Sequence, residues 1–299
     1  MVIMKNFLEY YYNFTHITVH ETNGTYSFYF NHSRYLFVST FRNIEEINTI
    51  YKIGNVLDKY HQIVLNRNHS CVTLFNNRPF VLLRLVSEVG ILNYMDFMKR
   101  DLNMTSAMQL LLRSDWAHLI EKKIDYIEYQ RQHFNKKYFI LDSSLDYYIG
   151  MSENAISYIH HTIDSDQKNQ LDRLVVSHRR ILDNSRLSFY NPLDIIIDHP
   201  VRDICGYLKY LFVKDVYNMN TLTQLFNSIH LSSYGYRLLF GRMLYPSFYF
   251  DLYEKIVNEK EREEQIVVII KRQKEYENYL STIYNLINKK IKIPSIDWI

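Results

Sequence analysis

The 299-residue sequence predicts an α+β chain, with a small mixed lobe over residues 1–87 and a large helical lobe over residues 88–299. Three observations carry this reading. Two pairs of short aromatic and β-branched runs lie in the first lobe, with one helical pattern between them. After Gly90 the apolar residues recur at helical spacing almost to the end of the chain. Midway through that region two brief strand-like runs end in polar residues, at His178 and Asp198.

The first strand pair is Tyr26–Phe30 and Tyr35–Ser39, joined by the polar connector Asn31-His32-Ser33-Arg34. From Phe41 to Lys59, Ile44, Ile47, Ile50 and Val56-Leu57 fall near helical spacing with charges between them. The second pair is Ser70–Phe75 and Phe80–Leu85, turning at Asn76-Asn77-Arg78-Pro79, so the small lobe ends near Val86. Beyond it, Trp116–Gln130 places Trp116, Leu119/Ile120, Ile124 and Ile127 on one stripe. Tyr147–His161 and Gln167–Arg173 continue as helix. Leu174–Ser177 reads as a strand, and Leu193–Ile197 as a second apolar run. A last long helix over Phe250–Lys290 presents Ile266, Ile269/Ile270, Tyr276, Leu280, Ile283 and Ile287. A coiled coil there is the alternative, although no strict heptad holds over several repeats.

Composition narrows the function classes. With 47% hydrophobic and 22% charged residues, the chain is globular rather than disordered. There are 35 Lys+Arg against 32 Asp+Glu, a net charge of +3, so the footprint of a dedicated nucleic-acid binder is missing. Two cysteines, Cys71 and Cys205, suit a reducing compartment better than a disulfide scaffold. The start, Met1–Asn13, is interrupted by Lys5, Asn6 and Glu9, so no secretory apolar region is expected. No apolar run approaches the length of a membrane span, and a soluble intracellular chain is the expectation. The 27 tyrosines and 17 phenylalanines are read first as packing, with an adhesive tyrosine surface as the functional alternative.

The chemistry concentrates in Val176-Ser177-His178-Arg179-Arg180 and Ile195–Asp198. Phosphotransferases deliver a His-x-Asp loop from one strand, an Asn a few residues on, and a metal-binding Asp from a second strand. One Asp accepts the substrate proton, while the Asn and the second Asp hold Mg²⁺ against the phosphates. No Gly-x-Ser-x-Gly elbow, Walker loop, Cys-x-x-Cys pair or His-Glu-x-x-His motif occurs.

Five segments taken in order are specific as a set: Trp116–Glu128, Tyr147–Tyr158, Val176–Arg180, Pro192–Ile204 and Ile293–Trp298. Together they resemble the YutH-like spore coat proteins, relatives of the CotS spore coat family. The resemblance implies the bilobal fold of protein kinases and aminoglycoside phosphotransferases. It also implies synthesis in the mother cell of a spore former, followed by assembly on the spore with other coat proteins as partners. The first lobe matches that family only in layout.

Against the active kinase pattern the chain departs repeatedly. His178 matches the loop histidine, but Arg180 stands where the catalytic Asp belongs. A guanidinium stays protonated and cannot act as a base. The metal-binding Asn falls on Ser185, with Asn184 one place off. Asp198 matches the metal-binding Asp in one register. In another, His199-Pro200-Val-Arg-Asp203 matches an Asp-Pro-x-x-Asp segment, Asp203 is structural, and only Asp194 is left to serve the metal. The first hairpin holds a single glycine, Gly24; Ser39 takes the strand-lysine position, and Lys52 lies on the following helix.

The remnant loop of His178, Arg180, Asp198 and Asp203 therefore yields no assigned catalytic set, no metal site and no cofactor. ATP and Mg²⁺ enter only under the alternative, a divergent small-molecule phosphotransferase with Asp194, Asp198 or Asp203 in place of the lost base. A third reading has Arg179 and Arg180 hold an anion.

Each feature also has a structural reading. His178 braces the loop, Arg180 pairs with Asp198 or Asp203, Asp203 supports the helix after Pro200, and Arg202 is a partly exposed charge. Glu153 and Asn154 either bond the central loop or face solvent. His160 and His161 point apart on a helix and make no metal site. Glu259–Glu264 reads as a solvated helix face.

Overall fold

The computed structural model describes residues 2–54, 61–85, 90–97, 104–134 and 137–298. The lobe end near Val86 and the helix expected at 55–59 lie outside the described residues. By its contacts the chain divides into two compact units, each discontinuous in sequence. The first comprises 1–93, 101–112 and 176–197; the second comprises 94–100, 113–175 and 198–299. Segments 101–112 and 176–197 thus pack with the first unit, whereas the 1–87/88–299 division assigns them to the second.

The first unit is built on an antiparallel sheet. Its strands are β1 (His20–Thr22), β2 (Thr25–Phe30), β3 (Ser33–Ser39), β4 (His61–Val64), β5 (Thr73–Phe75) and β6 (Arg78–Leu85), in the order β1-β2-β3-β6-β4 with β5 also paired to β6. Both expected strand pairs are present, with Tyr26 opposite Phe37 and Thr73 opposite Phe80. The connectors are tighter than the four-residue turns the sequence suggests. Asn31-His32 and Asn76-Asn77 alone make the reversals, all four at positive φ between 47° and 60°. Two successive left-handed residues match the twist of a two-residue hairpin, and Asn and His tolerate that conformation better than most side chains.

Strand β6 explains its own unbroken apolar run. Phe80 and Leu82 enter one cluster with Phe28 and Phe37, while Val81 and Leu83 enter another on the opposite face with Ile47 and Cys71. Helix α1 (Val2–Tyr12) covers the first face through Met4, Leu8 and Tyr12, one residue per turn. Helix α2 (Ile44–Gly54) covers the second through Ile47.

The second unit is helical. Its elements are α3 (Trp116–Arg131), α4 (Phe139–Ser165), α6 (Val201–Val213), α7 (Met219–Ser228), α8 (Ser233–Leu244), α9 (Ser247–Val257), α10 (Ile266–Lys271) and α11 (Gln273–Asn288). The α3 stripe holds at Trp116, Ile120, Ile124 and Ile127, although Leu119 is exposed. Helices α4 and α8 approach closely at Gly241, where a Cβ would sit 3.0 Å from Ile159 Cγ1. A side chain there would require Ile159 or Tyr158 to give way by a few tenths of an ångström.

Two expectations are corrected. Residues 167–173 form only a 3-10 turn, Gln170–Asp172, because Asn169 and Asp172 bond the local backbone in a reciprocal capping box. The long C-terminal helix is three helices. Glu259–Glu264 offers no apolar residue to hold a helix against the core, and Glu259 takes positive φ. The segment is largely exposed as expected but is not a helix face: Glu259 pairs with Lys137, and Glu263 accepts the Leu141 N–H.

Most aromatic residues serve packing. Tyr249, Tyr253 and Tyr279 are among the largest fully buried side chains. Burial pushes the hydroxyls of Tyr12 and Tyr234 up to about 12. Tyr10, Tyr29, Tyr126 and Tyr129 remain exposed. Both cysteines are free and buried. No helix among the described residues is long and apolar enough to cross a membrane.

Candidate functional site

The strand pair expected to carry the chemistry is present as β7 (Val175–His178) and β8 (Ile195–Asp198). In the first unit, Asn191 accepts the Leu193 N–H and Pro192 follows it, which starts the 3-10 turn Pro192–Asp194 that leads into β8. The Arg179 N–H donates to the Asp194 carbonyl at 2.9 Å, fixing the residue after β7. His178 is buried, its ring 3.9 Å from Phe189 and edge-on to Tyr190. Arg180 is exposed. Ser185 is used as a helix cap: its hydroxyl accepts the Leu187 N–H at the start of α5 (Arg186–Phe189). Asp183 accepts from the Ser185 N–H and the Ser188 hydroxyl.

Among the described residues of the same unit, the positions singled out for phosphate handling lie on a hairpin turn, a strand end and a helix. Gly24 lies in a two-residue turn between β1 and β2. Ser39 is the exposed last residue of β3, and Lys52 is exposed in the last turn of α2. A cation that sequence reading missed stands just after β3. The Arg42 side chain is 2% exposed; its Nε donates to the Leu193 carbonyl at 2.7 Å, and Nη2 donates to the Ile195 carbonyl. Nη1 lies 3.5 Å from Glu46 on α2. This guanidinium ties sheet, helix and β8 together.

In the second unit, Asp198 is fully buried with both carboxylate oxygens occupied. Oδ1 accepts the His199 N–H at 2.7 Å. Oδ2 accepts Trp116 Nε1–H at 2.8 Å and Arg202 Nη1–H at 2.7 Å, with Arg242 Nη1 at 3.8 Å. The Arg242 guanidinium lies 3.8 Å above the Trp116 ring, so indole, two cations and one anion form a closed cluster. This corrects one expectation: the guanidinium partners of Asp198 are Arg202 and Arg242 rather than Arg180. Arg202 is partly exposed as expected, and it is ion-paired. Asp203 is buried in the first turn of α6. Asp194 Oδ2 accepts from Asn191 in the first unit.

His199 belongs to a second buried network. Its Nδ1 accepts the Val201 N–H, so the proton sits on Nε2, which donates to Asp172 Oδ1 at 3.0 Å. The Ser232 hydroxyl also donates to Asp172 Oδ1 while accepting the Gly235 N–H as the cap of α8. Serine, aspartate and histidine meet here, but both donors converge on the carboxylate and no base faces the hydroxyl, so the wiring is that of a brace. Burial pushes the Asp172 carboxyl up, yet the bonds from His199, Ser232 and the Asn169 N–H outweigh it and hold it below the usual carboxylate range. A depressed folded value stabilises the fold above about pH 4 and is lost as pH falls through it. The stability gap between wild type and Asp172→Asn, measured by urea denaturation, is therefore expected to narrow steadily below about pH 4.

The remaining features are local. Asn154 donates to the Gly150 carbonyl of its own helix, and Glu153 is exposed. His160 bonds Glu121 of α3, which His118 also approaches. Among the described residues no group of three His, Cys, Asp or Glu is arranged to hold a metal ion.

Comparison with known proteins agrees with this layout. The family described as "Spore coat putative kinase YutH" matches residues 5–283. The chain belongs to that spore coat family. It is 30% identical over 209 residues to the endospore coat-associated protein YutH of Bacillus subtilis, a match spanning 62% of this chain and 61% of that protein. Among solved structures, an aminoglycoside phosphotransferase from Alicyclobacillus acidocaldarius superposes with a TM-score of 0.63 at 8% identity, covering 91% of this chain and 92% of that one. Choline kinase LicA from Streptococcus pneumoniae gives 0.54 at 10% identity, over 94% and 98%. At such identities the likeness is one of fold: the YutH-family chain has the α+β aminoglycoside-phosphotransferase-like architecture that its motifs implied.

Proposed function

We propose that the protein is a non-catalytic, kinase-like component of the spore coat. It is made in the mother cell and held in the coat by contacts with other coat proteins. The observation that supports this most directly is the state of Asp198. A hard cation needs free carboxylate oxygen; here both oxygens are bonded, and one guanidinium lies at 2.7 Å and another at 3.8 Å. Introducing Mg²⁺ would require dismantling a buried cluster in the face of two fixed positive charges. The cation at position 180 removes the base from the loop as well. The exposed Tyr10, Tyr29, Tyr126 and Tyr129 are suited to the contacts, since tyrosine covers large area at low entropic cost and still hydrogen-bonds.

Purified protein is expected to show no thermal shift with ATP and Mg²⁺ at millimolar concentration, and no phosphate transfer above buffer. In a sporulating host, a tagged copy is expected to fractionate with the coat. A Mg²⁺-dependent shift accompanied by transfer to a hydroxyl compound would overturn the reading in favour of a divergent phosphotransferase.

A further inference from the structure

Helix α3 carries a second stripe on the side away from its core. Leu119, Lys122, Tyr126 and Tyr129 recur at spacings of three, four and three residues, the heptad spacing of a helix that packs on another helix. Lys122 is exposed, and Leu119, Tyr126 and Tyr129 are 44%, 52% and 61% exposed. Trp116, Ile120, Ile124 and Ile127 bury the opposite side, so the outer stripe is separate from the core face.

The rings of this stripe are already held in place. Gln130 Nε2–H donates to the Tyr126 hydroxyl at 3.1 Å, and Gln130 Oε1 accepts from the Tyr253 hydroxyl of α9. The Tyr129 ring lies 4.7 Å from that of His133. Side chains ordered within the chain lose less freedom when a partner arrives.

Charge selects the partner. Glu121, Lys123 and Arg131 of the same helix are engaged inside the chain, with His160, with Glu254, and with Asp142 and Asp146. Lys122 and Asp125 are exposed and take no part in those pairs. The spacing three-four-three is the same read in either direction. A second α3 laid antiparallel, with Leu119 against Tyr129, therefore also sets Lys122 against Tyr126. Each Lys122 then lies over a tyrosine ring and beside Asp125 of the second copy, and the two-fold axis makes every contact twice. A parallel copy would instead set Lys122 against Lys122 and Asp125 against Asp125, which repels.

We propose that the outer stripe of α3 is a self-association surface, on which a second copy of this chain packs antiparallel across a two-fold axis. One helix face is smaller than the roughly 1,200–2,000 Å² of a standard interface, so the dimer is weak and forms at high concentration. The proposal goes beyond the coat reading, whose partners are other coat proteins, and it stands whether or not the chain transfers phosphate. Its failure leaves Tyr10 and Tyr29, on α1 and β2, for coat contacts.

The test is sedimentation velocity of the full chain at low ionic strength, from micromolar to several hundred micromolar. Wild type is expected to move from monomer towards dimer as concentration rises. Lys122→Glu and Asp125→Lys should each weaken dimerisation roughly 10-fold or more, because each sets like charges together at two symmetric contacts. Mixed in equal amounts, the two variants should recover a dimer, since both contacts of the heterodimer are again opposite in sign. Both positions are exposed, so the variants should melt with the wild type, and a melting scan verifies this. Single variants that dimerise like wild type, or a mixture that stays monomeric, would each overturn the proposal. So would a wild type that is monomeric throughout, which would leave the stripe to a different protein.

Discussion

Replacing Asp198 with alanine is expected to lower stability by about 3–5 kcal/mol, the range seen when one partner of a buried ion pair is removed. The side chain is fully buried, and its loss leaves the Arg202 and Arg242 guanidiniums and the Trp116 N–H facing a void. Chemical denaturation reads this directly. An aspartate kept for metal binding behaves in the opposite way: its removal abolishes activity and costs little stability, or even adds some. The double variant Asp198→Ala with Arg202→Ala should cost less than the sum of the two single losses, because the two side chains interact directly. An Asp198→Ala variant as stable as wild type would undo the structural account of the cluster.

Arg42→Met is the second large effect, again about 3–5 kcal/mol. The substitution keeps much of the aliphatic volume while removing the donors to the Leu193 and Ile195 carbonyls and the partner of Glu46. A buried acceptor, the Ile195 carbonyl, and a part-buried one, the Leu193 carbonyl, would each lose a charge-assisted bond, at roughly 1–3 kcal/mol each. Amide exchange should locate the damage: protection is expected to fall in β8 and in the first turns of α2, and to be little changed in β1 and β2. Uniform loss of protection throughout the first unit would argue that Arg42 supports the sheet as a whole rather than joining it to β8.

The parts of the fold that were legible in the sequence are those whose signal is local. Alternation in Tyr26–Phe30 and Tyr35–Ser39, the Asn-rich turns, and the Trp116–Ile127 stripe each lie within a few residues of what they specify. Helix α1 was not expected. Its aromatic-rich sequence resembles a strand, and only the sheet beneath Met4, Leu8 and Tyr12 selects the helical period. Strand β4 is four residues long and is defined by its pairing with β6. The site divides in the same way. The i,i+4 spacing of Asp198 and Arg202 stands in the sequence, but the sequence reading pairs Arg180 with Asp198 or Asp203 instead. Trp116 reaches Asp198 from 82 residues away, and Arg42 reaches Leu193 across 151, distances over which no pattern in a single chain speaks.

The discontinuity of the first unit has a consequence for how the chain is made. Residues 1–93 leave the ribosome long before 176–197, the segment that supplies the carbonyls for Arg42 and Leu193 for the cluster around Ile47. Roughly a hundred residues separate the two, or about 5–20 s of translation at ordinary elongation rates. Throughout that interval the nascent sheet carries a buried-type cation that has Glu46 beside it but not yet the Leu193 and Ile195 carbonyls. Vectorial folding of the N-terminal part is therefore incomplete by construction, and the emerging chain waits on β8 before its first half can close.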